Sequence, residues 1–480
     1  MVSFTRAQCD GWVHAIHTST GTLLAEAAGA LTKSLAAAFK AETDSQAQRS
    51  AAQELAIEAG ALEALLAALA REREHVAAQR ACIAVLAFLS SAQPAFGARA
   101  CAGGAVELVV HALRTHRKLA VVCCGALFTL LGPPERDNES LAVAARAGAV
   151  AAVFDALRAA PTDARLQVSG FRALFALSRL SPTRKEVVAA GGVEYAVSAL
   201  TAHMGVALVV ACAADFLSNV CGYAGEHESD ARATAAGAVA AVVRAARLHA
   251  AELDVQSAAA EAIMRMATTP ADAARADAVA LMVAASRTHA ADSARLVKFF
   301  TAIARLQYRS PASARAACAA SAVGLPEAVA AALCTHAADG ECVFVACAAL
   351  LRLIENDEQR FTADSVACGV PALVLRAQHM VRPDRQPLIA RLSEVLQVAE
   401  RLHDTRRCER CERCCRCAAA REAAEMCGLP RCGLRRREDG RKLQRCAGCR
   451  VAVFCSDAHQ REAWPAHKAA CKAARAQTAD

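Results

Sequence analysis

The chain is long, rich in small apolar residues and poor in aromatic ones. It has 480 residues, of which 55% are hydrophobic and 4% aromatic, and its formal net charge is +8. This length exceeds what one compact core accommodates, so we expect several units or an array of repeats. Abundant alanine, few aromatic residues and sparse glycine and proline give a strong bias toward helices.

The first residues, 1–10, contain no basic segment followed by an apolar run, so no secretory signal is predicted. The most apolar windows, such as 120–131 and 206–214, are too short to cross a bilayer. We therefore expect an intracellular protein, in the cytoplasm, the nucleus or both, without a membrane partner.

Cysteine usage and charge both change near residue 400. Twelve of the 23 cysteines lie in residues 1–400, mostly single among Ala, Val and Leu, where they are expected to act as small hydrophobic side chains. The other eleven crowd into residues 401–480, a usage typical of metal sites in a reducing compartment. This tail also holds 19 Lys and Arg against 10 Asp and Glu, so the excess positive charge of the chain belongs to it.

Residues 1–400 contain an internal repeat. At regular intervals a glycine is followed by two small or apolar residues: at Gly60, Gly104, Gly148, Gly191 and Gly237. Weaker versions of this motif follow at Asp277, where aspartate replaces the glycine, and at Gly324 and Gly369. The intervals are 40 to 47 residues, and apolar residues follow each glycine at helical spacing. A period in this range without strand alternation predicts an all-α solenoid of two- or three-helix repeats. The glycine permits a sharp reversal between two helices.

The clearest repeat runs from Thr183 to Leu200 and contains Ala-Ala-Gly-Gly-Val. It resembles the armadillo repeat, in which a short first helix ends in Ala-Gly-Gly before an apolar second helix. The resemblance covers residues 45–400 and implies a concave surface for extended peptides or partner helices, with residues 1–44 as an N-terminal capping helix pair. HEAT repeats are the alternative to armadillo repeats, but their sequences lack an Ala-Gly-Val motif at regular intervals.

One armadillo binding mode uses an Asn on the third helix of successive repeats to hold a peptide main chain. Here only Asn219 stands in that motif, whereas Arg179 and Ser91 occupy the matching places in earlier repeats. The Asn ladder is therefore missing, which argues against import-receptor-like recognition. We interpret Asn219 as a polar residue at a helix end.

No catalytic motif is present. The chain lacks a Gly-x-x-x-x-Gly-Lys-Ser/Thr phosphate loop, a Gly-x-Ser-x-Gly elbow and a His-Glu-x-x-His zinc motif. Single histidines such as His111, His203 and His379 have no partner carboxylates at useful spacing, so we interpret them as solvated or capping residues. We expect a protein that is not an enzyme.

Residues 401–426 are expected to form a Cys/Arg-rich linker. Five cysteines lie within it: Cys408, Cys411, Cys414, Cys415 and Cys417. Cys-x2-Cys is a zinc-ligand spacing, but no second cluster or histidine is left over to complete a cage. A solvated basic linker is the favoured interpretation, while one of these thiols could still replace a ligand of the segment that follows.

Residues 427–471 carry eight thiol and imidazole groups in four successive pairs: Cys427 and Cys432, Cys446 and Cys449, Cys455 and His459, His467 and Cys471. Eight such groups are what two tetrahedral zinc ions need. So short a segment buries little apolar surface, so metal would supply most of its stability.

This spacing resembles the MYND-type zinc finger. From Cys446 onward the pattern Cys-x2-Cys-x5-Cys-x3-His-Gln, then Trp-x2-His-x3-Cys, fits the family position by position. The first pair departs from it, since four residues rather than two separate Cys427 from Cys432. The resemblance implies that the pairs interleave: Cys427, Cys432, Cys455 and His459 would share one ion, and Cys446, Cys449, His467 and Cys471 the other. Both sites would be closed and structural.

The family resemblance also implies a small peptide site. Residues 443–446 and 451–455 are expected to pair as a β-hairpin, and residues 456–472 to be helical. In MYND fingers a proline-containing peptide lies along the hairpin and contacts the Gln and Trp of the helix, which are Gln460 and Trp464 here. Alternatively, Trp464 only packs over the zinc sites.

These observations predict an interaction scaffold, an armadillo/HEAT-like α-solenoid followed by a zinc-stabilised MYND finger, that binds proteins or proline-containing peptides. One alternative is a nuclear regulator that contacts nucleic acid through the basic tail around Arg435 and Arg441, although base-stacking aromatics are absent there. Another is a MYND-associated methyltransferase, whose SET-domain Asn-His-Ser motif this chain lacks.

Overall fold

The computed structural model describes residues 6–40, 54–92, 94–132, 138–223, 227–266, 272–307, 324–356, 365, 368–377, 380–405, 444–445, 453–454, 461 and 468. The chain divides into two compact units, Met1–Leu248 and His249–Asp480. The described part is almost entirely helical, and the predicted all-α class is confirmed.

In the first unit the helices are α1 (Arg6–Thr18), α2 (Gly21–Lys40), α3 (Ala61–Arg71), α4 (Val76–Ala92), α5 (Pro94–Ala102), α6 (Ala105–Thr115), α7 (Ala120–Leu131), α8 (Asn138–Arg146), α9 (Ala149–Ala159), α10 (Ala164–Leu177), α11 (Ser181–Ala189), α12 (Gly192–Ala202), α13 (Ala207–Val220), α14 (His227–Ala235) and α15 (Ala238–Leu248). A 3₁₀ turn, Arg117–Leu119, precedes α7.

In the second unit they are α16 (Leu253–Met266), α17 (Asp272–Thr288), α18 (Ser293–Gln307), α19 (Leu325–Thr335), α20 (Gly340–Asn356), α21 (Val370–Ala377) and α22 (Gln386–Thr405), with a 3₁₀ turn at Pro383–Arg385. Two short strands follow, β1 (Gln444–Arg445) and β2 (Val453–Phe454).

In the first unit the predicted glycine turns separate a short first helix from the second helix of a repeat. Gly104, with φ 89°, precedes α6, and Gly191, with φ 86°, precedes α12. Both adopt the left-handed conformation that side chains with a Cβ disfavour. Asp277 differs, because it lies inside the continuous helix α17. Without a glycine at this place the chain does not reverse, and first and second helices merge.

The third helices of successive repeats pack side by side in the first unit. Helix α2 contacts α4, which contacts α7, and the series continues through α10 to α13. Their buried faces carry large side chains, and Phe171 lies 5.7 Å from Phe216 between ring centroids. Each such fully buried apolar side chain stabilises the fold by about 1.5–3 kcal/mol. In the second unit α16, α18, α20 and α22 form a similar series.

Polar links join each repeat to its neighbour. Histidines at the ends of second helices place Nε2 on a main-chain carbonyl of the preceding repeat: His116 on Arg73 at 2.6 Å, His203 on Pro161 at 2.7 Å, His289 on Ala250 at 3.1 Å and His336 on Ala290 at 2.7 Å. Arginines near the ends of second helices reach forward to the glycine turn of the next repeat: Arg114 to Gly148 O, Arg158 to Ala190 O and Arg287 to Gly324 O. These links satisfy carbonyls that the helix ends would otherwise leave unpaired.

Among the described residues, no single helix combines the length and apolarity needed to cross a bilayer. Two pairs of consecutive helices reach that threshold together, Ala95–Ala102 with Ala105–Thr115 and Glu139–Arg146 with Ala149–Ala159. They are bent at their glycine turns by 72° and 61° respectively, as expected for first and second helices of a repeat.

Candidate functional site

The C-terminal hairpin is an antiparallel pair of two-residue strands. Gln444 lies opposite Phe454 and Arg445 opposite Val453. The predicted pairing of residues 443–446 with 451–455 is confirmed for these four residues. In sequence, Cys446 follows β1 directly and Cys455 follows β2 directly. The strands are therefore adjacent to two of the predicted zinc ligands.

Two residues of the predicted C-terminal helix are described, Arg461 and Lys468, and both are helical and exposed. All eight predicted zinc ligands, together with Gln460, Trp464, His379 and the 408–417 cysteines, lie outside the described residues. Within the described ranges no group of three or more His, Cys, Asp or Glu side chains could hold a metal ion.

Asn219 is used inside the fold. Its Nδ2 donates to Phe175 O at 2.8 Å and Ser178 Oγ at 2.9 Å, while Oδ1 accepts from the Tyr223 hydroxyl at 3.3 Å. The side chain thus caps the end of the preceding third helix, and the interpretation as a helix-end residue is confirmed. Arg179, at the matching place one repeat earlier, likewise donates to Leu131 O.

The described cysteines of residues 1–400 are free thiols, and most are buried. Burial raises the pKa of Cys82, Cys124 and Cys347 to about 12, since a thiolate would lose its hydration in the core. These side chains are uncharged and poorly nucleophilic at neutral pH. The prediction that they act as small hydrophobic side chains is confirmed.

Of the three histidines singled out in the sequence, two are described. His203 caps a neighbouring repeat through Pro161 O, as predicted for a capping histidine. His111 is half-buried on α6, and its Nε2 has no hydrogen-bond partner in the described structure.

Comparison with known families decides the nature of the tail. Residues 414–471 match the family model described as "MYND finger". This segment is a MYND finger. The finger implies zinc binding, and the donor set of thiols and imidazoles suits that ion. The match begins at Cys414, inside the segment predicted as a linker, and includes the Cys414-x2-Cys417 spacing as well as Cys427 and Cys432.

Solved structures resemble the helical part of the chain. One is an engineered protein from a structural genomics consortium, with 20% identity, a TM-score of 0.59, and coverage of 82% of this chain and 99% of that one. Another comes from a study of the interaction between cadherin and beta-catenin, with 14% identity, a TM-score of 0.57, and coverage of 82% and 69%. At these identities the likeness shows the fold alone, an armadillo-like α-solenoid. The search of curated proteins found no match.

Sequence reasoning missed the histidine links. They nevertheless left a signal, because His116, His203, His289 and His336 each stand twelve residues after the repeat glycine or, for His289, after Asp277. A side chain that recurs in phase with the repeat period is expected to form the same contact in each repeat.

Proposed function

We propose that this protein is a non-catalytic interaction scaffold, which acts inside the cell and binds partner proteins through both its helical repeats and its finger. The observation that carries the proposal is the combination of a MYND finger at 414–471 with an armadillo-like solenoid. A repeat stack offers an extended surface for partners, and closed zinc sites hold a small recognition fold without an open catalytic position. Free thiols in the described residues suit a reducing compartment.

The finger is proposed to hold two zinc ions in interleaved Cys₃His sites. The antiparallel hairpin supports this, because the chain leaves β1 toward Cys446 and leaves β2 toward Cys455 in opposite directions. Those two cysteines would accordingly bind different ions. The ion bound by Cys446 would also be held by Cys449, His467 and Cys471. The ion bound by Cys455 would also be held by His459.

The remaining two ligands are Cys427 and Cys432, or Cys414 and Cys417 in their place. The second pair has the two-residue spacing of the family, and the matched segment starts with it. Zinc counts of the purified full chain distinguish them: the double substitution of the true pair to Ser removes one ion, whereas the same change in the other pair leaves both.

In the finger, Gln460 and Trp464 are proposed to contact a proline-containing peptide. They are four residues apart and hence on one helical face. A pre-extended proline-rich segment loses little conformational entropy on binding. If the Trp464→Ala variant keeps both zinc ions but no longer binds the peptide, the result supports this role. If the same variant releases zinc, Trp464 is instead a core residue of the finger.

The scaffold proposal is tested by quantitative affinity capture with the full chain and with a Cys449→Ser/His467→Ala variant. We expect the variant to lose one set of partners and keep another, bound by the repeats. Identical partner sets would show that the finger does not recruit proteins. Binding of duplex or single-stranded nucleic acid by the full chain, lost at moderate salt, would favour the nucleic-acid alternative instead.

A further inference from the structure

Two accessible thiols lie in neighbouring repeats of the second unit. Among the described cysteines nine are buried, whereas Cys334 and Cys368 are half-buried, so an oxidant in solution can reach these two. Cys334 lies in the last turn of α19, and Cys368 directly precedes Gly369, the repeat glycine before α21. Helices α19 and α21 are the second helices of successive repeats and pack against each other.

The residue ten places after a repeat glycine, or after Asp277, reaches the glycine turn of the next repeat. Three arginines at this position do so: Arg114 to Gly148 O at 3.1 Å, Arg158 to Ala190 O at 2.6 Å and Arg287 to Gly324 O at 3.0 Å. The accepting carbonyl belongs to the repeat glycine or to the residue directly before it. This contact is therefore a regular link between the second helix of one repeat and the turn of the next.

Cys334 and Cys368 occupy the two ends of this link. Cys334 stands ten places after Gly324, and Cys368 is the residue directly before Gly369. Gly369 keeps the left-handed conformation of the turn, with φ 73°. Because equivalent positions of a repeat array share their surroundings, the side chain of Cys334 lies at the turn that contains Cys368.

The side chain that precedes a repeat glycine points at the second helix of the preceding repeat. At Gly103, which has this position in an earlier repeat, an added Cβ would lie 2.7 Å from Leu66 Cδ1 on α3. The residue of α19 that matches Leu66 is Ala330, whose small side chain leaves room for a thiol. Ala330 and Cys334 are four residues apart and so on one face of α19. Cys368 accordingly faces the stripe of α19 that contains Cys334.

The spacing of packed helices suits a covalent link at this place. Helix axes about 8–10 Å apart, with Cα atoms about 2.3 Å from each axis, bring facing Cα atoms to roughly 3.4–5.4 Å. A disulfide spans Cα atoms about 4.4–6.8 Å apart. The two ranges overlap, so the packing of one second helix on the next allows the bond.

We propose that Cys334 and Cys368 form a reversible disulfide between successive repeats when a peroxide oxidises them. One thiolate attacks the peroxide O–O bond and becomes a sulfenic acid, while the other peroxide oxygen takes a proton and leaves as water. The second thiol attacks the sulfenic sulfur, so that the S–S bond forms and the remaining oxygen leaves as a second water. Two thiols are oxidised and one peroxide is reduced.

The bond would staple α19 to the turn before α21 and close a loop that contains α20. Such a cross-link restricts the unfolded chain and so stabilises these repeats. In a reducing compartment the pair stays as thiols until an oxidant appears, and exchange with a small thiol restores it. The inference goes beyond the proposed scaffold function and does not depend on which partners bind.

The test is peptide mapping of the full chain after treatment with hydrogen peroxide, alkylation of the remaining thiols and digestion by trypsin without reductant. Cys368 is the single cysteine of its tryptic peptide, residues 361–376, and Cys334 lies in the peptide 316–352. We expect these peptides to be joined by a bond that dithiothreitol breaks, and fragmentation to locate the bond at Cys334. In C334A the joined form should fall at least about tenfold, because its partner thiol is missing.

The matched control is C342A, at a buried cysteine of the same tryptic peptide, which should leave the amount of joined peptide unchanged. The proposal is overturned if no joined peptide forms, if fragmentation places the bond at another cysteine, or if C334A forms as much of it. Conversion of Cys368 to a sulfinic acid without any joined peptide would likewise overturn it, because the two thiols then do not meet. The fragmentation result on the unaltered chain decides the matter even if C334A fails to fold.

Discussion

His203 at the end of α12 places Nε2 2.7 Å from the carbonyl oxygen of Pro161, forty-two residues earlier in the chain. The ring thereby links the second-to-third helix turns of two successive repeats. Because the same bond recurs at His116, His289 and His336, it is a regular part of how the repeats register against one another.

Replacing His203 by Ala should lower the free energy of unfolding by about 1 kcal/mol, since a partly buried hydrogen bond is lost and Pro161 O is left without it. Urea denaturation followed by circular dichroism measures the change. His14→Ala, at an exposed histidine on α1, is the control and should have an effect near zero. Equal effects of the two substitutions would mean that the inter-repeat bond contributes nothing.

Gly104 and Gly125 together test whether a repeat turn needs glycine for its left-handed backbone conformation. A Cβ added at either position meets no atom within 4 Å, but Gly104 has φ 89° whereas Gly125 lies inside helix α7. Gly104→Ala should destabilise the protein by about 1 kcal/mol because an L-residue is strained there. Gly125→Ala should stabilise it by about 0.5–1 kcal/mol through helix propensity. Thermal unfolding of both variants checks the opposite signs, and a common sign would contradict the argument.

Arg184 is a buried charge with specific partners. It is 5% exposed, donates to Ser178 O at 3.1 Å and lies with Cζ 3.7 Å from the centre of the Tyr223 ring. Arg184→Met keeps the apolar stem but removes both interactions, so we expect a loss of about 2 kcal/mol. Lys185→Ala, at the exposed neighbouring position, serves as the control and should change little. If the unfolding midpoints of both variants fall equally, the buried contacts of Arg184 do not stabilise the fold.

The buried thiols predict how stability changes at alkaline pH. Burial raises the pKa of Cys82, Cys124, Cys342 and Cys347 to about 12. Above the ordinary thiol pKa near 9 the unfolded chain loses these protons while the folded chain keeps them. The free energy of unfolding should therefore be unaffected by these groups below pH 8 and fall as pH rises from about 9 toward 12.

Denaturation curves between pH 8 and 10.5 measure this slope. Cys347→Ala removes one such proton and should reduce the slope by up to about 1.4 kcal/mol per pH unit above about pH 10, where the unfolded thiol is almost fully ionised. A slope identical to that of the unaltered chain would show that Cys347 ionises in the folded state as readily as in the unfolded one.

The sequence predicted the repeats because their physical cause is local. Gly104 and Gly191 mark turns that need a left-handed residue, and the apolar stripes after them mark helices. Asp277 shows the limit of that pattern, since the residues around it form one helix although the period is kept. The cysteine and histidine spacing of the finger likewise predicted its family, because zinc ligands must stand at fixed intervals. Within the finger the structure describes the two strands, Arg461 and Lys468.

The sequence pattern within a repeat does not predict which groups form hydrogen bonds between repeats. The partner of His203 is a main-chain carbonyl, which every residue possesses, so no residue type marks it. Likewise, the sequence indicates that Asn219 is a helix-end residue, but it does not show that the partners are Phe175 O and Ser178 Oγ of the preceding repeat.

The most direct test of the account is native mass spectrometry of the full chain before and after treatment with a strong chelator, because a zinc-held finger on an independent helical scaffold is its central claim. We expect a mass increment of two zinc ions, both removed by chelation, with the helical circular dichroism signal of the repeats retained. A stoichiometry of one or none, or collapse of the helical signal when zinc is removed, would contradict it.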